Sequence, residues 1–161
     1  LFGRRRAQQV EIRRITNQSE PLEVHYSRLA DDPRTSPDYA EIGRRMLELL
    51  RLLPGIDGPP VWAMTSHADL LLVSSDDYPQ QRLVAIRGNG FGEVFSFRIE
   101  FQMPASEAPW PGARVLLGTH NTAEACAMVA HGLRQATGAN YSVPTPAEPH
   151  AAADRGGIGG S

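Results

Sequence analysis

The stretch Phe95-Ser96-Phe97-Arg98-Ile99-Glu100-Phe101-Gln102-Met103 sets a large apolar side chain at every second position and a polar one between. Successive side chains of a strand point to opposite faces, so this period of two predicts a strand with one apolar and one wet face. A sheet built on it is antiparallel and needs a cover on one side. Upstream, Gly88-Asn89-Gly90-Phe91-Gly92 joins it to a strand over 82–87. Asn-Gly tolerates the positive φ of a tight type I′ turn, so a hairpin is predicted there. These glycines have the outward look of a phosphate cradle, but a cradle leads into a helix, and here a strand follows.

Further out, Asp76-Asp77-Tyr78-Pro79 reads as a turn, and runs over 61–65 and 70–74 flank Ser66-His67-Ala68-Asp69 as a second hairpin. On the other side, a loop from Pro104 to Gly112 carries Pro109-Trp110-Pro111-Gly112 and leads to a short last strand over 115–117.

Two helices bracket these strands. Thr35-Ser36-Pro37-Asp38 is a start signal: Ser36 caps, Pro37 sits at the first helical position, and Asp38 complements the positive dipole end. Tyr39, Ile42, Met46, Leu49, Leu50 and Leu53 then form one apolar stripe, and Pro54-Gly55 ends the helix. Gly43 inside it costs about 1 kcal/mol relative to alanine, so a close backbone approach is expected there. Asn121-Thr122-Ala123-Glu124 opens the second helix as a capping-box-like start, Ala125, Val129, Leu133 and Ala136 line it, and Gly138 stops it.

The expected fold class is α+β: an antiparallel meander of about five strands, with two amphipathic helices packed on one face and room for one or two extra N-terminal strands. Residues 1–34 read as an Arg-rich arm, with candidate strands at Val10/Ile12 and at Leu22/Val24/Tyr26. Residues 35–137 read as a single domain. Residues 138–161, rich in Gly, Ala and Pro, are expected to form a disordered tail, because too little apolar surface is present to offset ordering.

Composition excludes several chemistries. The 161-residue chain carries 16 arginines and no lysine, which removes Schiff-base catalysis and the P-loop lysine. A single cysteine, Cys126, removes intrachain disulfides and thiolate-rich zinc sites. A net charge of -2 gives no field for nucleic acid or anionic lipid, and the Arg-rich arm is interleaved with a stacking aromatic only at Phe2. No apolar run approaches the length of a membrane span or signal core. A soluble, cytoplasmic protein is expected, and the lysine-free composition fits a GC-rich bacterial genome.

The candidate constellations are sparse. His120, Glu124 and His131 can share one helix face, but Glu124 and His131 lie about 10 Å apart along the axis, too far for one ion unaided. Cys126 points away from both histidines, so no thiol–imidazole dyad forms within the helix. Ser66-His67-Ala68-Asp69 holds the residue types of a hydrolase triad, yet adjacent loop residues cannot act as nucleophile, base and orienter. Asp76, Asp77, Glu100 and Glu107 read as solvated acids. No catalytic, cofactor-binding or metal-binding residue is assigned, and the reading leans away from an enzyme. Trp110, Trp62 and Tyr78, at or beside connections, are the candidate partner-binding residues, since aromatics on loops anchor partners. The expected function is a non-enzymatic protein-binding accessory module, comparable in size and acidity to immunity proteins and secretion chaperones. The alternative is a small-molecule binder or enzyme with a pocket between sheet and helices, to which His67, Arg98, Glu100 and His120 are the candidate contributors.

Overall fold

The computed structural model describes residues 8–77, 79–90 and 94–144. Among these, the order is β1 (Ile12–Arg14), α1 (Leu22–Asp31), α2 (Pro37–Leu52), a single 3-10 turn (Leu53–Gly55), β2 (Val61–Ser66), β3 (Asp69–Val73), β4 (Arg82–Asn89), β5 (Ser96–Gln102), β6 (Arg114–Thr119) and α3 (Thr122–Thr137). The strands form one six-stranded sheet in sequence order. Every neighbouring pair is antiparallel except β1 with β2, which run parallel because the α1–α2 pair carries the chain across between them. The fold is therefore α+β, a meander with helices on one face.

The β5 alternation places Phe97, Ile99 and Phe101 in the core under the helices, joined by Val84 and Ile86 of β4 and Leu70 and Leu72 of β3. Ile42, Met46 and Leu49 of α2, Leu53 of the 3-10 turn, and Val129 and Leu133 of α3 close over them, all essentially without solvent contact. Both helices start as their capping residues dictate: the Ser36 side chain accepts from the Tyr39 N–H, and that of Asn121 from the Glu124 N–H. Gly138 ends α3 in the left-handed conformation at φ 71°.

Three features depart from the sequence reading. Leu22, Val24 and Tyr26 belong to helix α1 and not to a strand: Leu22 and Tyr26 are buried one turn apart, while Val24 is half exposed. The helix starts after Pro21 and stops where Asp32, held extended by Pro33, cannot continue it. It packs on α2 at Gly43, whose missing side chain admits the α1 backbone. Second, Asn89 is still in β4, paired with Ser96, and neither Asn89 nor Gly90 takes a positive φ, so the link to β5 spans residues 90–95 and is not a two-residue type I′ turn. Third, β3 and β4 are buried on both faces. Leu71, Val73, Ala85 and Ile15 form a second cluster on the helix-free side, with Trp62 and Met64 packed against it. Their uninterrupted apolar runs, Leu70–Val73 and Leu83–Ile86, are the sequence trace of that double burial.

Past Gly138 the described residues continue to make contacts with the body of the fold. Tyr141 is buried against Gly58, and Ser142 exchanges backbone hydrogen bonds with Asp57, whose neighbours Ile56 and Gly58 hold Val10 and Gln8. Of the tail expected to be disordered, residues 138–161, the part from 145 to 161 lies outside the described residues, as do the arginines of residues 4–6.

Candidate functional site

The loop between β5 and β6 is fastened by its own backbone. The N–H groups of Glu107 and Ala108 donate to the Pro104 carbonyl, that of Ala113 to Trp110, and that of Met103 to Ala113. Gly112, at φ 79°, supplies the left-handed corner that closes the last turn. The proline on each side of Trp110 fixes φ and lowers the freedom of the segment further. Trp110 is 65% exposed. A concavity of about 400 Å³, lined by Gln102, Met103, Ala105, Ala108 and the Pro109–Gly112 run, lies beside it.

Trp62 is placed differently. It sits in β2 beside Arg13 of β1, whose guanidinium lies 5.6 Å from the ring centroid, and it packs over the second apolar cluster. Its ring is thus partly used in covering Leu71 and Val73. Tyr78 lies outside the described residues. Trp62 and Trp110 do not share one surface patch: Trp62 belongs to the β1–β2 side of the sheet and Trp110 to the opposite side, before β6.

The rest of the helix-free face carries charge. Asp69, Arg87, Glu100 and Arg114 form a chain of ion pairs across β3, β4, β5 and β6, at 3.0, 3.5 and 2.7 Å. Glu100, a candidate acid, is therefore neutralised by two guanidiniums. Exposed pairs of this kind contribute about 0–1 kcal/mol each and serve mainly to keep the face wet.

The histidines are dispersed among local contacts. His120 precedes the cap of α3; its Nδ1 lies 2.7 Å from the Phe95 carbonyl oxygen, and its own carbonyl accepts from Arg45 at 2.7 Å. Glu124 turns back to accept from the Thr119 hydroxyl at 2.5 Å, and His131 packs edge-on against Phe101. Among the described residues, no group of three His, Cys, Asp or Glu is arranged to hold a metal ion. Burial pushes the Cys126 thiol up to about 11, away from the thiolate that a nucleophile requires.

The apolar side chains between sheet and helices are buried against one another, and a sizeable cavity lies elsewhere among the described residues. About 560 Å³ opens between α1, the α1–α2 connection and the β2–β3 turn, lined by His25, Arg28, Leu29, Asp32, Arg34 and His67 among others. His67 occupies the tip of that turn at φ 56°, a rare conformation for a side chain with a Cβ. Two α1 side chains hold the turn: the His25 Nε2–H donates to the His67 carbonyl at 2.6 Å, and the buried Tyr26 hydroxyl to that of Ala68 at 3.0 Å. Burial drives the Tyr26 phenol far above its ordinary range, so it remains a donor. The cavity's charged groups are already matched, Arg34 with Asp32 and Arg28 with Glu20. Of the polar residues considered from the sequence, only His67 reaches it; Arg98 and Glu100 lie on the helix-free face and His120 beside α3.

The position of Trp110 relative to a rigid loop has a sequence signal, the Pro-Trp-Pro-Gly run. The cavity around His25 has none, because it depends on α1 being a helix. Among the described residues, no helix is long and apolar enough to cross a membrane. No family model matches the chain, and comparisons with curated proteins and with solved structures find no match.

Proposed function

We propose that this chain is a non-enzymatic, protein-binding accessory module that presents Trp110 to its partner. The observation that carries the reading is the pairing of a largely exposed tryptophan with a loop braced by its own backbone hydrogen bonds. A large aromatic held rigidly in solvent costs little ordering entropy on association and buries much apolar area, the properties of interface hot spots. The neighbouring concavity gives a partner side chain somewhere to enter. Matched charges across the sheet face and the low reactivity of the buried thiol are in keeping with recognition over catalysis.

The test is photo-crosslinking from the loop in cells to identify the partner, followed by titration of that partner against wild type and Trp110→Ala. A hot spot of about 2 kcal/mol or more predicts affinity lowered roughly 30-fold or beyond. Equal affinities for the two proteins would sink the reading.

A second reading, small-molecule binding, is favoured by the 560 Å³ cavity and the strained His67 at its rim. It predicts that a metabolite screen by NMR shifts the ring resonances of His25 and His67 together. A screen that moves neither removes this reading and leaves the first untouched.

A further inference from the structure

The two edges of the sheet are unequal. β1 is three residues long, and Arg13 and Arg14 guard it, a usual way of blunting an edge against unwanted pairing. β6 at the other edge is six residues, Arg114-Val115-Leu116-Leu117-Gly118-Thr119, with no proline and no register irregularity against β5. Leu116 at its middle is 60% exposed.

The hydrogen-bond register shows which groups of β6 remain available. The Met103 N–H donates to the Ala113 carbonyl, so this pair lies in a bonded position. Bonded and non-bonded positions alternate along an antiparallel ladder. Val115, Leu117 and Thr119 therefore turn their N–H and C=O groups toward β5, and Arg114, Leu116 and Gly118 turn theirs outward. Among the described residues, no hydrogen bond is made to those outward groups. Such a row of polar groups is a template for another strand.

We propose that β6 pairs antiparallel with β6 of a second copy of this chain, about a two-fold axis at Leu116. The sequence of the strand is what selects a second copy. With Leu116 opposite Leu116 of the partner subunit, Arg114 falls opposite Gly118 and Gly118 opposite Arg114, so the outward residues of each copy meet the outward residues of the other in three bonded pairs. The two Leu116 side chains lie side by side on the helix-free face and cover each other. Gly118 leaves room for the long Arg114 side chain opposite it: a Cβ there would meet nothing nearer than the Phe97 carbonyl oxygen at 3.7 Å. Arg114 keeps its own Glu100. A shift by one residue would set inward-facing groups against outward ones, and a shift by two would lose a bonded pair. Trp110 precedes the paired segment, and the inference does not rest on its role.

Leu116 is exposed in the single chain, so its replacement tests pairing without touching the core. Sedimentation over a wide range of concentrations is expected to show reversible dimerisation of the full chain. L116E and L116K each place like charges opposite one another, and each is expected to weaken self-association about tenfold or more. Mixing the two variants sets opposite charges across the axis and is expected to restore dimers that contain one copy of each. Circular dichroism confirms that the variants fold. A wild type that stays monomeric at every concentration overturns the proposal, as does self-association of folded L116E equal to wild type. Failure of the mixture to form mixed dimers overturns the Leu116-centred register. Loss of self-association with an intact Trp110 contact, or the converse, separates this proposal from the function proposed above.

Discussion

A Cβ added at Gly43 would lie 2.6 Å from the Ala30 nitrogen and 2.8 Å from the Tyr26 carbonyl oxygen, both backbone atoms of α1. In an exposed helix, Gly→Ala stabilises; here the added methyl forces two helices apart, and Gly43→Ala is expected to lower stability by about 1–3 kcal/mol. Gly55, in the 3-10 turn with negative φ, has nothing within 4 Å of that position. Gly55→Ala is expected to raise stability by about 0.4–1 kcal/mol through the unfolded chain. Urea midpoints of the two variants check the opposite signs. Cys126 makes a pH prediction. Its thiol titrates near 9 when unfolded and is pushed up to about 11 by burial, so the folded state retains the proton longer. Its contribution is complete below about pH 9 and is lost as pH rises toward 11. The buried Tyr26 phenol acts in the same direction. Stability is expected to fall over that alkaline window, less steeply in Cys126→Ala, and native alkylation of the thiol should be slow until urea exposes it.

At the scale of elements, the two helix starts differ in how well they are closed. The Asn121 carboxamide accepts at 3.0 Å from the Glu124 N–H, and the Thr119 hydroxyl links the Asn121 N–H to the Glu124 carboxylate. Ser36 accepts at 3.4 Å from the Tyr39 N–H. Asn121→Ala is expected to cost about 1 kcal/mol, and Ser36→Ala less, measured by thermal or urea unfolding. These starts were legible in the sequence because capping is decided within four residues. The β5 strand was legible for the same reason: one apolar face gives an alternation that needs no tertiary knowledge. Helix α1 was not. Leu22, Val24 and Tyr26 fit a period of two as well as a helix of buried Leu22 and Tyr26 with Leu29 partly buried beside them, and only Pro21 and Pro33 mark its ends. The Asn89-Gly90 turn failed because pairing with Ser96 extends β4 through the very residue expected to turn. In the candidate site, Pro109-Trp110-Pro111-Gly112 announced a held, exposed ring. The contrasting environment of Trp62 depends on Arg13 across a parallel pairing, a relation no local pattern encodes.

Across the whole molecule, the piece 56–58 is held from both sides. The Gly58 N–H donates to Gln8 and the Val10 N–H to Ile56, while Asp57 and Ser142 exchange bonds at 2.8 and 3.0 Å. Tyr141 fits against Gly58 so closely that a Cβ there would lie 2.3 Å from the ring, and Arg134 donates to the Tyr141 carbonyl. Tyr141→Ala is expected to lower stability by about 3 kcal/mol, the usual result of deleting a buried aromatic. Val143→Ala, at a residue 38% exposed, should stay within about 0.5 kcal/mol, so paired urea titrations distinguish an anchor from a passive neighbour. This double clasp has a topological corollary. Gln9 and Ser142 pair with Asp57 from opposite sides, two interstrand spacings or about 10 Å apart. In a chain shortened to residues 8–144, a few glycines and serines would join the two ends into a circular backbone, and opening it in the Pro104–Gly112 loop would give a permutant with new ends beside Trp110.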